Sequence, residues 1–285
     1  MNNIDKRLEK IGIQIPRILM PAKDSDMQKW AVVACDQYTS ELEYWEDAKN
    51  FIGESPSTLN LVYPECYLEE DNPEERIEQI NFNMNKYLKN DILLENEAAF
   101  FLVKRNTGTE LSRYGLMVAL DLEAYDYSKN SISLIRATEG TIVDRIPPRK
   151  KIRINATVEL PHILVLIDDP EGLVIEPLKA MIDKLEVVYD FDLMKESGHI
   201  SGYKITDPSV IEGIISALER LSDKESFKKK YSKEDVLLYA MGDGNHSLAT
   251  AKATWEEIKS NYSGTDLMKH PARWALVELE NIHDK

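Results

Sequence analysis

The sequence predicts a mixed α/β fold of the α+β kind, a mixed sheet flanked by helices and carrying at least one antiparallel hairpin. Three observations predict it. Residues 236–241 are an unbroken apolar run, followed by Gly242-Asp243-Gly244-Asn245-His246-Ser247 and then by Leu248, Ala251, Trp255 and Ile258 at helical spacing; this is strand, tight turn, helix. Residues 98–104 and 114–122 are β-rich runs on either side of Asn106-Thr107-Gly108-Thr109, a hairpin signature. Asn72-Pro73-Glu74-Glu75 opens a helix with a cap, an early proline and an acidic first turn. Antiparallel pairing beside a strand–helix unit argues against a purely doubly wound sheet.

Taken in order, residues 13–20 and 30–35 read as short extended segments, the second ending at Asp36. A helix follows. Thr39 or Ser40 can cap it, Leu42, Trp45, Ala48 and Ile52 share one face, and Gly53 ends it. The helix from Pro73 buries Ile77, Ile80, Met84, Tyr87 and Leu88. After the hairpin, residues 132–135 read as a short strand, and Pro147-Pro148 are expected to keep the stretch behind it out of regular helix, as an ordered or ligand-gated loop. Residues 163–167 form a buried strand ending in Asp168-Asp169-Pro170-Glu171-Gly172, where paired carboxylates could hold a metal but Asp-Pro-x-Gly favours a turn. Residues 175–189 and the segment from Pro208 have helical periodicity, with His199 in a glycine-flanked, exposed loop between them. Residues 224–233 are a charged helix or loop, and 272–279 a last strand. The 285 residues make one large domain, or two subdomains of about 1–130 and 131–285.

Composition narrows the partners. With 43% hydrophobic residues the chain can bury a core, and no apolar run approaches the roughly 20 residues that span a bilayer. No signal peptide is visible, so a cytoplasmic location is expected. A net charge of -15 disfavours nucleic acid and anionic membrane, leaving a small-molecule substrate as the expected partner, with oligomeric state open. Cys35 and Cys66 form no disulfide framework or Cys-x-x-Cys site and read as buried or inert. One stretch opposes the overall charge. Residues 136–153 hold Arg136, Arg145, Arg149, Lys150, Lys151 and Arg153 against Glu139 and Asp144, a positive island that a small anion would need and that a solvated loop covering an acidic neighbour would also show. It is expected to fold beside the Asp243 turn.

The chemistry concentrates in that turn. Glycines let backbone approach a ligand, and the first N–H groups of the following helix point into the same space, so the turn attracts anions, phosphate above all. Asp243 cannot favour bare phosphate; it suits a magnesium ion or a hydroxyl proton. His246, near a helix N-terminus, is expected neutral at pH 7, able to donate to a phosphate oxygen or relay a proton. A helix cap would need only Asp243 or Asn245. Several versatile residues at a strand's carboxyl end exceed that need.

Asp243-Gly244-Asn245-His246-Ser247 resembles the late Asp-Gly-His-His-Arg-like turn of the bacterial and archaeal domain of unknown function family numbered 1015, with Asn245 in place of the first His and Ser247 in place of Arg. The segments 33–40 (Val-Ala-Cys-Asp-Gln-Tyr-Thr-Ser), 136–141 (Arg-Ala-Thr-Glu-Gly-Thr) and 167–172 (Ile-Asp-Asp-Pro-Glu-Gly) resemble that family in the same order. The family is in turn similar to the ParB and sulfiredoxin superfamily, whose free serine kinases carry a related turn for nucleotide phosphates. The resemblance implies a ParB/sulfiredoxin-like region around the turn and more sheet beyond the chain's end. It also implies a nucleotide, ATP or ADP, with Mg2+.

The reading that joins these is a nucleotide-dependent phosphotransferase acting on a small hydroxylated metabolite. Gly242, Gly244, Asn245 and Ser247 would cradle phosphates, with Arg136, Arg145, Arg149 and Lys150 closing over them. Asp243, His246 and Glu139 would be catalytic, Asp243 would hold the metal, and Asp36 would be a reserve carboxylate. The alternatives are a non-catalytic sensor of a nucleotide or phosphometabolite, and a structural domain without a site. No P-loop, dinucleotide fingerprint, His-Glu-x-x-His helix or Gly-x-Ser-x-Gly elbow is present.

Overall fold

The apolar runs come together in one sheet, which among the described residues has ten strands. The computed structural model describes residues 3–35, 38, 40–68, 72–108, 111–160, 163–264 and 266–284. The chain opens with α1 (Asn3–Lys10), β1 (Ile13–Gln14), β2 (Leu19–Pro21), α2 (Met27–Trp30), α3 (Leu42–Ile52) and α4 (Pro73–Lys89). It continues through β3 (Leu93–Glu95), the hairpin β4 (Phe100–Asn106) and β5 (Arg113–Asp121), β6 (Tyr125–Asp126), β7 (Ile135–Arg136), α5 (Ile146–Arg153), β8 (Leu164–Ile167) and α6 (Glu176–Ala180). A second hairpin, β9 (Glu186–Asp192) and β10 (His199–Ile205), precedes α7 (Pro208–Leu221), α8 (Lys224–Tyr231), β11 (Tyr239–Asp243), α9 (Asn245–Asn261) and β12 (Trp274–Asn281).

Strand order across the sheet is β6-β7-β11-β8-β12-β5-β4-β10-β9, with β1 paired to β5. The strands β6, β7 and β11 are mutually parallel, β8 and β12 are parallel to each other, and every other pairing is antiparallel. Strands from both halves of the sequence therefore share one sheet. Its main core takes Ala275, Val277 and Leu279 of β12, Leu116, Val118 and Leu120 of β5, and Leu248, Ala251 and Trp255 of α9. Burying each of these leucines and valines contributes roughly 1.5–3 kcal/mol. A smaller cluster of Trp30, Leu61, Ile80, Met84, Tyr87, Leu93 and Val158 holds the N-terminal helices. Among the described residues, no helix is long and apolar enough to cross a membrane.

Several elements depart from expectation. Residues 30–35 are not a strand: Trp30 closes α2, its carbonyl accepts from Ser57 Oγ and Thr58 Oγ1, and Val32 N donates to Thr58 Oγ1 at 3.0 Å, so side chains take the backbone groups a ladder would use. The N-cap of α3 is Glu41, without a side-chain bond, rather than Ser40; Thr39 and Asp36 lie outside the described residues. Leu42 is left exposed, while Trp45, Ala48 and Ile52 are buried as read. Cys35 is exposed and Cys66 half-buried, not core residues.

The helix expected over 175–189 stops at Ala180, and residues 186–192 become β9, paired to β10 where a loop was expected. Val187, Val188, Tyr189 and Phe191 are β-branched or aromatic, and cross-strand pairing settles their state over helical spacing. The turn between them closes through Gly198 at φ 104°, where a Cβ would lie 2.0 Å from Asn106 O. Pro147 and Pro148 sit inside α5 rather than barring it. They occupy its first turn, where N–H groups have no intrahelical acceptor and a missing donor costs little.

A buried ion pair fixes the central register. Arg273 Nε and a terminal nitrogen donate to the two Asp121 carboxylate oxygens at 2.8 and 2.5 Å, and Trp274 pairs with Asp121 across β12 and β5. Removing one partner of such a pair leaves the other charge uncompensated. Asp121→Ala is therefore expected to cost about 3–5 kcal/mol, read as a lowered midpoint in urea melts; an unchanged midpoint would show that the register is held elsewhere.

Candidate anion site at the strand–helix turn

The β11–α9 junction is built from a bulge and a left-handed residue. Against β8, Ala240 faces Leu166 and Met241 faces Val165, but Asp243 faces Leu164, so the strand slips one residue at Gly242. Gly244 then takes φ 81°, ψ 26° as the N-cap of α9, and a Cβ there would lie 3.0 Å from Ile163 Cγ1. Glycine alone adopts this conformation without strain. The first intrahelical bond runs from Leu248 N to Gly244 O at 3.0 Å, so the N–H groups of residues 245–247 precede the ladder.

Neither residue that could have capped the helix does so. Asp243 Oδ1 accepts from Gly244 N at 2.6 Å, and its side chain is exposed. Asn245 is 5% exposed; its Nδ2 donates to Glu139 Oε1 at 3.2 Å and its Oδ1 is buried without a hydrogen-bond partner. No side chain caps α9 at Gly244.

The loop after β7 folds over this turn, as expected for the basic segment. Thr138 Oγ1 donates to Met241 O at 2.7 Å, and Ile142 N donates to His246 Nε2 at 3.2 Å. Because Nε2 accepts, the ring proton of the neutral imidazole belongs on Nδ1. Burial pushes the His246 pKa below its ordinary value, and Arg145 and Arg149 push it further down, against a smaller opposing pull from Glu139 and Glu65. Thr138, Ile142 and Glu65 were not among the expected site residues. Thr138 lay inside the 136–141 segment, while Ile142 acts through its backbone, which no side-chain pattern marks.

The cations divide into two groups. Arg136 does not reach the turn: its guanidinium donates to the carbonyls of Ser133 (2.6 Å), Asp235 (3.0 Å) and Val236 (2.9 Å), tying β7 to the approach of β11. Arg149 pairs with Glu65, Lys150 with Glu257, Lys151 with Glu74 and Arg153 with Glu159. Arg145 is exposed, with no ion pair among the described residues. Much of the positive island thus covers acidic neighbours, while Arg145 and Arg149 also bear on His246. Ser247 lies in the first turn of α9.

The other expected segments lie apart. Asp168 is at the opposite end of β8 from Leu164, roughly 13 Å away along the strand. It binds Lys230 and His283, and the Asp169 carboxylate accepts from Leu173 N and Val174 N, as a turn requires. Two cavities also lie elsewhere, one of about 380 Å³ beside His199 and one of about 190 Å³ beside Asp168. The turn is marked by its donors and charges. Among the described residues, no group of three His, Cys, Asp or Glu side chains could hold a metal ion. A magnesium ion at Asp243 would therefore draw its other ligands from phosphate and water.

The chain belongs to the family described as a protein of unknown function, DUF1015, whose model matches residues 18–285. No curated protein and no solved structure matches it.

The His246 environment has a measurable consequence. A histidine whose folded pKa lies below 6.5 contributes stability that is present above that pH and lost as pH falls through the folded value. Urea midpoints are expected to drop as pH falls below 6.5 more steeply in wild type than in His246→Gln. Imidazole nitrogen shifts at pH 7 should report the Nδ1–H tautomer; an Nε2–H form would contradict the bond from Ile142.

Proposed function

We propose that this member of the DUF1015 family binds the terminal phosphates of a nucleotide, ATP or ADP, at the N-terminus of α9 and transfers a phosphoryl group to a small hydroxylated metabolite. One observation carries the reading. An uncapped helix start on a left-handed glycine holds a buried, half-satisfied Asn245 and a neutral His246 under the influence of Arg145 and Arg149. Backbone N–H groups and the helix dipole favour an anion there. Arg149 and Lys150 are half-buried and paired with Glu65 and Glu257; in this reading either cation exchanges its carboxylate for a phosphate.

Asp243 and Glu139 supply the carboxylates. In the step proposed, the substrate hydroxyl gives its proton to Asp243 while its oxygen bonds to the terminal phosphorus. The bond from that phosphorus to the bridging oxygen breaks, and the shortened nucleotide leaves with the electron pair. His246 donates from Nδ1 to a phosphate oxygen, because its Nε2 is already engaged. A magnesium ion, when bound, would neutralise phosphate charge. The reading takes Asp243, Gly244 and His246 as the counterparts of the turn residues in ParB/sulfiredoxin-superfamily kinases, a resemblance of sequence alone.

Asp243→Asn and His246→Ala are each expected to lower turnover 10²- to 10⁴-fold, with urea midpoints near wild type, since neither residue belongs to the apolar core. A panel of hydroxylated metabolites with ATP or ADP and magnesium, followed by phosphorus NMR, measures it. Binding should stabilise the fold by about 2.7 kcal/mol at a hundred times the dissociation constant. Stabilisation without consumption would favour the sensor; neither effect would remove the site.

A further inference from the structure

The bulge at Gly242 decides which face of the sheet receives Asp243. Met241 packs into the main core with Val165 and Ile167, and in a regular strand Asp243, two residues on, would point the same way. The bulge reverses this. Gly242 is the extra residue, Asp243 comes into register with Leu164, and partners in register share a face. A Cβ on Gly242 would lie 3.0 Å from Leu166 Cγ, on that same face. Asp243 therefore leaves the core side and stands with Leu164, Leu166 and Ala240.

That face is accessible where Asp243 stands. Leu164, Leu166 and Ala240 are half-buried and belong to no apolar cluster, whereas the alternate residues Val165, Ile167, Tyr239 and Met241 are buried in the main core. Glu278 is the next side chain along the row, in register with Leu164 and two strand spacings, roughly 10 Å, from Asp243. It is buried and already paired with Arg105. The floor between the two carboxylates is thus apolar, and a hydroxyl-rich body would find no side-chain partner on it. Phosphate is repelled by Asp243 and has the N–H groups of α9 instead. Since α9 packs on the core side through Leu248, Ala251 and Trp255, an anion at its start and a neutral molecule on the floor reach Asp243 from different sides.

We infer that this face seats the phosphoryl acceptor, an uncharged alcohol with a short apolar body, its hydroxyl at the Asp243 carboxylate and its carbon chain on Leu164, Leu166 and Ala240. The inference rests on the phosphotransferase reading. It narrows the acceptor from hydroxylated metabolites in general to alcohols that are apolar beyond the reacting hydroxyl.

The test uses the whole chain with methyl-labelled leucine and alanine, and 1-butanol, 1-hexanol and glycerol as probes. 1-Hexanol should shift the methyl resonances of Leu164, Leu166 and Ala240 saturably and bind about fivefold or more tighter than 1-butanol, from its two additional methylenes, while glycerol leaves them in place. Leu166→Gln, at a half-buried position, should lose about fivefold or more in 1-hexanol affinity. With ATP and magnesium, kcat/KM should follow the same order of alcohols. Shifts confined to other methyls, no saturation by about 30 mM, or an equal response to glycerol would overturn the inference. The probe order is read on the wild-type chain, so it decides the matter if Leu166→Gln does not fold. Consumption of ATP with glycerol as readily as with 1-hexanol would overturn the acceptor seat and leave the phosphotransferase standing. Binding of 1-hexanol at these methyls without consumption of ATP would uphold the seat and count against the phosphotransferase.

Discussion

The Arg273–Asp121 pair is the interaction on which the rest of the sheet depends. It is bidentate, both side chains are nearly inaccessible, and it sits where β12 begins against the end of β5. Because side chains alternate in a strand, a slip of one residue in β12 would turn Ala275, Val277 and Leu279 out of the apolar core and put Glu278 and Glu280, buried on the other face beside Arg105 and Arg113, in their place. The pair forbids that slip. Its geometry is reinforced by Arg273 donating to Met268 O at 3.1 Å and by Asp121 accepting from Glu123 N at 3.0 Å. β12 in turn aligns β8, β8 aligns β11, and β11 delivers the turn. The placement of Asp243 is thus set two strands away from β12, where the charge pair sits.

The sequence was most legible where local signals agreed. The β4–β5 hairpin, α4 with its early proline and acidic first turn, α7 from Pro208, and the strand–turn–helix of β11 and α9 each combine periodicity with turn or helix-start chemistry, although Asn72 makes no side-chain cap on α4. It was least legible where apolar spacing fitted two states. Residues 186–192 offer helical spacing but β-favouring side chains, and only the partner strand settles which wins. Trp30–Val32 is decided by Ser57 and Thr58, about 27 residues away, which no local pattern reports.

The site shows the same division. Asp243, Gly244, Asn245, His246 and Glu139 come together as residue type and order suggested, with Asn245 bonded to Glu139 across more than a hundred residues. Arg136 was legible as a cation but not as a staple, because its three carbonyl partners lie on backbone. The tautomer of His246 also rests on a backbone donor. Side-chain chemistry can be read from a sequence; the use of main-chain groups requires the fold.

Two helices begin near this turn, and they are not equivalent toward an anion. The prolines that follow Ile146 leave α5 without two of its first N–H groups, and Ile146 N is already bonded to Val143 O. Its start is mute as a donor. What α5 brings instead is charge on flexible stems, Arg149 and Lys150, while α9 brings a fixed array of N–H groups. Proline thus divides the labour: one helix presents directed donors, the other only charge.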